Sequence, residues 1–189
     1  LTLADLDGDG RPDRLAGAAG AASLPDGGEL AGADAGLASA AVPVLVEPAQ
    51  GPALVALADA GDAAVLRYWG AGVGRHPFLA LRLSGKENQA DSMRSNRDAI
   101  GARVSLRNLD RWSVAWLLDS HSAPGQSSQP LSIGLAGRGQ ADYVAIDWSD
   151  GVFQTELALA AGDTHLLAET QRQLSSCPVL FAWDGERYA

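Results

Sequence analysis

The sequence has little of what many catalytic and metal sites require: one cysteine and three histidines in 189 residues. The single cysteine, Cys177, excludes an intrachain disulfide and a cysteine zinc cluster. Because it precedes a proline and an apolar run, we predict that it is a small buried hydrophobe. His76, His121 and His165 lie far apart in the chain and lack the H-x-H or H-E-x-x-H spacing of a local zinc site.

Basic residues are also scarce. The chain has 14 Lys and Arg against 23 Asp and Glu, a net charge of −9, and residues 1–60 hold nine acidic residues against two basic ones. The negative electric field of such a chain repels phosphate backbones and attracts divalent cations, so we expect no nucleic-acid partner. No apolar run approaches the roughly 18 residues that a membrane span needs, so we expect no membrane span.

Four of the acidic residues fall in one short run, D-L-D-G-D-G-R-P-D, close to the chain start. Calcium takes six to eight oxygen ligands, and a tight turn directs alternate side chains inward towards such an ion. Gly10 stands where the backbone must turn sharply. The spacing therefore predicts a calcium loop, with ligands from the side chains of Asp5, Asp7, Asp9 and Asp13 and from the carbonyl of Arg11.

The loop does not have the pattern of an EF-hand. An EF-hand carries a bidentate Glu at its twelfth position, which is Ala16 here, and is followed by a helix. The short apolar segments on either side favour a loop between two strands instead. An acidic surface turn without an ion is the alternative interpretation. Because calcium is plentiful outside the cytoplasm, the prediction favours an exported protein, extracellular or periplasmic.

We predict that the rest of the chain is all-β. Residues 16–41 are rich in Ala and Gly and are interpreted as a connector, whereas short β-rich runs follow from Val42 onwards. Seven strands in under a hundred residues predict a β-sandwich, with Trp112, Trp116 and Trp148 in its core. These strands are expected at 76–83, 100–106, 112–118, 130–135, 143–148, 152–159 and 165–169.

Three local patterns are interpreted as structural. The sequence Ser149-Asp-Gly151 predicts a tight hairpin turn, a simpler role for Asp150 than catalysis. Asn96 and Asp98 are expected to bond neighbouring backbone amides in a turn. Gly101 is expected to allow a close backbone approach beside the next strand.

Near the chain start, the motif D-x-D-x-D-G-x-x-D lies between two predicted strands. This arrangement resembles the FG-GAP or VCBS repeat, the blade unit of integrin-like β-propellers. Residues 42–69 resemble a degenerate second blade, with three short apolar strands. One blade cannot bury its own faces, so the resemblance implies neighbouring blades or chains that pack against this segment. Together with the start at Leu1 and the end at Ala189, this leads us to expect a fragment of a longer protein.

A second resemblance covers more than half of the chain. Five ordered blocks are similar to the ASPIC/UnbV domain, which follows FG-GAP repeats in cartilage acidic protein and in many bacterial proteins. The blocks are residues 78–85, 95–104, 125–131, 133–137 and 144–151. The implied organisation is a calcium-binding segment with its connector at 1–70, an ASPIC/UnbV-like sandwich at 76–170, and the start of a further segment at 171–189.

The resemblance implies a non-enzymatic interaction or adhesion module with a protein or carbohydrate partner, and it supplies no catalytic residues. One alternative is an enzyme or accessory component acting on a small molecule in a cleft lined by Arg103, His121 and Trp148. Another is a carbohydrate-binding module, which exposed aromatic side chains on one sandwich face would favour. A hydrolase triad is not indicated, because the Gly125-Gln-Ser127 segment lacks the second glycine of G-x-S-x-G.

Overall fold

The computed structural model describes residues 2–15, 42–59, 63–70, 75–85, 95–118, 130–170 and 181–188. These residues form an all-β structure, as predicted, with one short 3-10 helix at Pro48–Gln50. The expected connector at 16–41 and Cys177 lie outside the described residues. In chain order the strands are β1 Thr2–Ala4, β2 Asp13–Leu15, β3 Val42–Val44, β4 Ala53–Asp59, β5 Ala64–Trp69, β6 Phe78–Ser84, β7 Arg103–Asn108, β8 Arg111–Trp116, β9 Leu131–Gly134, β10 Gln140–Asp147, β11 Phe153–Ala160 and β12 Thr164–Ala168.

All seven strands predicted after residue 75 are present, and they form two sheets. One sheet has the order β11-β10-β7-β8, and its strands are all antiparallel. The other has the order β12-β6-β9, in which β12 runs parallel to β6 and β9 runs antiparallel to it. Each sheet contributes buried apolar side chains to one shared core.

The main core is built from both of these sheets. Leu79, Leu81 and Leu83 of β6 pack in one cluster with residues of the four-stranded sheet. Those partners are Val104 and Leu106 of β7 and Val144 and Ile146 of β10. Burial of these side chains is the main favourable term in folding this region.

Two of the three tryptophans predicted to lie in the core do not. Trp148 is 3% exposed, as expected, and its indole Nε1 donates to Gln154 Oε1 at 3.0 Å. Trp112 and Trp116 are each 54% exposed. Both lie on the outward face of the edge strand β8, whose inward positions include Ala115, so the prediction was wrong about which face each indole occupies.

The exposed indoles have arginine partners on β7. The guanidinium of Arg103 lies 5.9 Å from the centre of the Trp116 ring, and that of Arg107 lies 5.8 Å from the Trp112 ring. Both pairs are direct cross-strand neighbours. Cation–π attraction of this kind stabilises an indole at the surface.

Two of the structural patterns have the expected geometry. The β10–β11 hairpin turns at 149–151 with Gly151 at φ +87°, and Val152 N donates to Asp150 Oδ1 at 2.9 Å. Asn96 bridges its turn through two bonds to the backbone of Ile100, each 2.7 Å long. Asp150 therefore has the structural role that the sequence predicted for it.

Residues 2–70 contribute two smaller sheets, one of β1 and β2 and one with the order β3-β4-β5. The three predicted strands of the second blade are thus present as an antiparallel sheet. This sheet joins the sandwich through residues 48–52: Ser132 Oγ donates to Pro48 O at 2.8 Å, and Gly51 packs against the ring of Phe78. The propeller resemblance remains a prediction, because the described residues form no ring of blades.

A glycine substitution tests the close packing of the sandwich. A Cβ at Gly85 would collide with the backbone carbonyl of Asn96, which cannot move away cheaply. We expect Gly85→Ala to lower the free energy of unfolding by about 1–3 kcal/mol. The control is Gly139→Ala, because no atom lies within 4 Å of the Cβ that it would add. Thermal melts of both variants provide the measurement, and equal melting temperatures would contradict the predicted clash.

Candidate metal centre

Asp5 organises the aspartate loop between β1 and β2. Its Oδ1 accepts the backbone N–H of Gly8 at 2.8 Å, and its Oδ2 accepts that of Gly10 at 3.0 Å. Both glycines have positive φ, at +80° and +81°, which residues with a Cβ rarely adopt. The loop therefore curls around the Asp5 carboxylate, and the position predicted for the sharp turn is confirmed.

The other three aspartates also bond the backbone of the loop. Asp7 Oδ1 accepts the N–H of Asp9 at 2.9 Å, and Asp9 Oδ1 accepts the N–H of Arg11 at 2.7 Å. These are two consecutive Asx turns, which hold short loops in shape. Asp13 is 2% exposed, and its Oδ2 accepts the N–H of Leu6 at 2.7 Å.

Three of the predicted calcium ligands come together. Carboxylate oxygens of Asp5, Asp7 and Asp13 all lie within 4.8 Å of one another. Two oxygens bound to one calcium ion at 2.3–2.6 Å can be about 5 Å apart, so this spacing fits a shared ion. Asp9 is not part of this group. The Asp9 carboxylate and the Arg11 carbonyl remain predicted ligands.

The charge of this group is poorly compensated. Burial raises the pKa of Asp5 to about 6, against the opposing effect of the two glycine N–H groups, and the charges of Asp7 and Asp9 raise it further. Burial likewise raises the pKa of Asp13. Among the described residues, no Lys, Arg or His nitrogen forms an ion pair within 4.0 Å of these carboxylates.

Arg75 is a nearby cation, but it is engaged elsewhere. Its Nη1 donates to the carbonyl of Pro52 at 2.7 Å. Burial lowers its pKa, while the negative charges of Asp5, Asp13 and Asp7 act in the opposite direction. A site of hard oxygen donors with poorly compensated negative charge fits calcium or magnesium better than a metal that prefers thiolate or imidazole ligands.

The loop packs closely against one end of the sandwich. A Cβ at Gly134 of β9 would lie 2.5 Å from Gly8 Cα and would collide with Asp5 Oδ2. On the other side, a Cβ at Gly8 would lie 2.8 Å from Cε2 of Phe78 in β6. Only glycine fits at these two positions. Because both residues are glycine, the loop and its carboxylates can pack directly against the sandwich.

Four hydrogen bonds fix this contact. His76 N donates to Asp7 O at 2.7 Å, and Ala136 N donates to Gly8 O at 2.8 Å. Across the loop, Arg111 Nη1 donates to Asp9 O at 2.7 Å, and Ser113 Oγ donates to Gly10 O at 3.4 Å. The loop carbonyls therefore accept hydrogen bonds from one residue before β6, one residue after β9 and two residues of β8.

Sequence reasoning did not identify the residues that receive the loop. In the sequence Gly134 is only part of a family-like block, and Arg111 and Ser113 carry no signal because they lie about a hundred positions from their partners in the loop. Such contacts arise from the pairing of strands that are distant in sequence, and no local pattern encodes them.

One part of the chain matches a known protein family. Residues 92–174 match the family described as ASPIC and UnbV. The match spans β7 to β12 and confirms the ASPIC/UnbV part of the expected resemblance. The searches of curated proteins and of solved structures found no significant match. The FG-GAP or VCBS part remains a prediction, and the aspartate loop lies outside the ASPIC/UnbV match.

The raised pKa of Asp5 predicts a pH dependence for the metal-free chain. Between pH 3.8 and about 6 the folded chain holds a proton on Asp5 that the unfolded chain has lost. Stability therefore falls as pH rises through this window, because the folded state must bury an ionised carboxylate. We expect thermal melts in chelator to show this fall for the native sequence and a flatter profile for Asp5→Asn.

The control for this experiment is Asp163→Asn. Asp163 is exposed and lies outside the loop, so its substitution removes one negative charge without changing the buried group. Its pH profile should follow that of the native sequence. Identical profiles for the native sequence and Asp5→Asn would contradict the prediction.

Proposed function

We propose that this chain is a non-enzymatic interaction module in which calcium stabilises the aspartate loop against the ASPIC/UnbV sandwich. The observation that carries the proposal is the group of Asp5, Asp7 and Asp13, with carboxylate oxygens within 4.8 Å of one another at the point where the loop meets the sandwich. Three carboxylates at this spacing repel one another, and a divalent cation between them offsets that repulsion.

Calcium suits this loop better than magnesium. Magnesium demands near-ideal octahedral geometry and retains several waters, whereas calcium accepts an irregular shell of carboxylates and carbonyls. The proposed shell is Asp5, Asp7 and Asp13, completed by the Asp9 carboxylate and the Arg11 carbonyl. Its role is structural: it ties β1 and β2 together and holds the loop carbonyls in position for their donors on the sandwich.

The proposal places the protein outside the cytoplasm, in an extracellular or periplasmic space where calcium is plentiful enough to fill a loop of modest affinity. The chain's net charge of −9 fits a partner other than nucleic acid. Among the described residues, no helix is long and apolar enough to cross a membrane.

The enzyme alternative receives less support from the described residues. Trp148 lies in the core, whereas Arg103 faces outward beside Asp147, with 3.6 Å between Nη1 and Oδ2. These two members of the suggested cleft therefore do not line one cavity. The third member, His121, and the candidate nucleophile Ser127 lie outside the described residues.

Calcium binding is tested by its effect on stability. At a calcium concentration about a hundredfold above Kd, the chain should gain about 2.7 kcal/mol. For a chain of this size the melting temperature should rise by roughly 5 to 10 °C. Chelator should reverse the shift. The measurement is a thermal melt with calcium and with chelator, at a fixed protein concentration.

Two variants make this test specific. Asp7→Asn keeps the oxygen that accepts the Asp9 amide but removes the charge, so it should abolish most of the calcium-dependent shift. Asp163→Asn removes the same charge from an exposed site away from the loop and should retain the full shift. The proposal fails if calcium leaves the native melt unchanged, or if both variants respond to calcium equally.

A further inference from the structure

The outward face of the four-stranded sheet carries a row of side chains that crosses all four strands. Trp116 of β8 pairs directly with Arg103 of β7, and Arg103 pairs with Asp147 of β10. Asp147 in turn pairs with Phe153 of β11. Directly paired residues place their side chains on the same face of a sheet. We call these four residues the outer row.

The outer row is exposed along its whole length. Trp116 is 54% exposed and Phe153 57%, and Val114, beside Trp116 on β8, is 52% exposed. Between the two aromatic residues, the side chains of Arg103 and Asp147 are each 44% exposed. Large apolar side chains that are exposed on one face and flanked by polar groups are typical of protein interaction sites.

The C-terminal segment already packs on the other end of this face. Tyr143 of β10 has its ring centre 5.4 Å from that of Tyr188 and 6.4 Å from that of Phe181. The guanidinium of Arg107, on the neighbouring strand β7, lies 5.2 Å from the Tyr188 ring centre. The face therefore packs against aromatic and charged side chains at one end, and the outer row continues the same kind of surface at the exposed end.

The order of side chains along the outer row makes it complementary to itself. From β8 to β11 the row is aromatic, positive, negative and aromatic. A twofold axis parallel to the strands, between β7 and β10, would bring a second copy onto this face with its row reversed. Arg103 of each copy would then face Asp147 of the other, and each Trp116 would face the other copy's Phe153. A twofold interface requires this property, because one surface patch must fit itself.

We propose that the outer row is the contact surface of a symmetric dimer of this chain. The aromatic side chains supply apolar contact area, and the alternating charges fix the orientation of the two copies. The contact is confined to the outer row and Val114, because the C-terminal segment of each copy occupies the other end of the face. An interface of this size falls in the small, transient class, so we expect dissociation in the micromolar range.

The inference does not depend on calcium binding. The aspartate loop bonds Arg111 and Ser113 of β8. These residues alternate with Trp112, Val114 and Trp116 along the strand, so their side chains point to the opposite face. Dimer formation and the calcium response can therefore be measured separately.

The test is a pair of charge reversals, Arg103→Asp and Asp147→Arg, in the full chain. Each variant alone places like charges opposite one another across the twofold axis, so each should dimerise at least about tenfold more weakly than the native chain. An equimolar mixture places opposite charges together again and should restore the dimer. The mixture does not restore the ion pair within either chain, so its recovery reports only contact between copies. Sedimentation velocity from about 1 µM to about 1 mM provides the measurement.

Matched controls make this result specific. Arg138→Asp and Asp163→Arg make the same charge changes at exposed positions outside the four-stranded sheet, and both should dimerise like the native chain. Trp116→Ser should also weaken the dimer at least about tenfold. Trp112→Ser is its control, because Trp112 is equally exposed but contacts Tyr143 at the end of the face that the C-terminal segment occupies.

Three results would overturn the proposal. The first is a native chain that stays monomeric over the whole concentration range, and the second is a native dimer that survives both charge reversals. The third is a mixture of the two charge variants that remains monomeric. Thermal melts with calcium and with chelator separate this inference from the calcium proposal, because both charge variants should keep the calcium-dependent shift of the native chain.

Discussion

The close contact between the aspartate loop and the sandwich is the constraint on which the candidate site depends. Gly8 lies between Gly134 of β9 and the Phe78 ring of β6, where no side chain would fit. That contact brings the Asp5 carboxylate into a partly buried position, which raises its pKa to about 6. The packing that orders the loop therefore also buries negative charge, which a bound cation would neutralise.

The loop also bonds the sandwich through its backbone. The carbonyls of Asp7, Gly8, Asp9 and Gly10 each accept a hydrogen bond from outside the loop. Displacing the loop would break all of these bonds together. An ion that holds the carboxylates would consequently also stabilise these backbone contacts with the sandwich.

Local sequence patterns predicted much of this structure. The strands after residue 75 follow from short β-rich runs broken by Gly, Pro, Asn and Asp, and the hairpin at Gly151 follows from its turn residues. The convergence of Asp5, Asp7 and Asp13 follows from their spacing around Gly10. In each case the relevant residues lie within about a dozen positions of one another, so local geometry determines the outcome.

The features that the sequence could not predict depend on how distant elements pack. Trp112 and Trp116 have the β-propensity of core residues, but β8 is an edge strand whose outer face is uncovered among the described residues. Arginines on the neighbouring strand stabilise them there. Similarly, the role of Gly134 depends on the loop that packs against it, more than a hundred residues earlier in the chain.

The folded unit around the main core is longer than residues 92–174, the range of the ASPIC/UnbV match. The ASPIC/UnbV match begins at residue 92, yet β6 at Phe78–Ser84 pairs with both β9 and β12. Without β6, those two strands would lose their common partner, and the core would lose Leu79, Leu81 and Leu83. Because Phe78 of the same strand packs against Gly8, the strand that completes the sandwich is also the one that receives the aspartate loop. Sandwich stability and loop position are therefore coupled through β6, so a ligand of the loop should stabilise the whole sandwich rather than the loop alone.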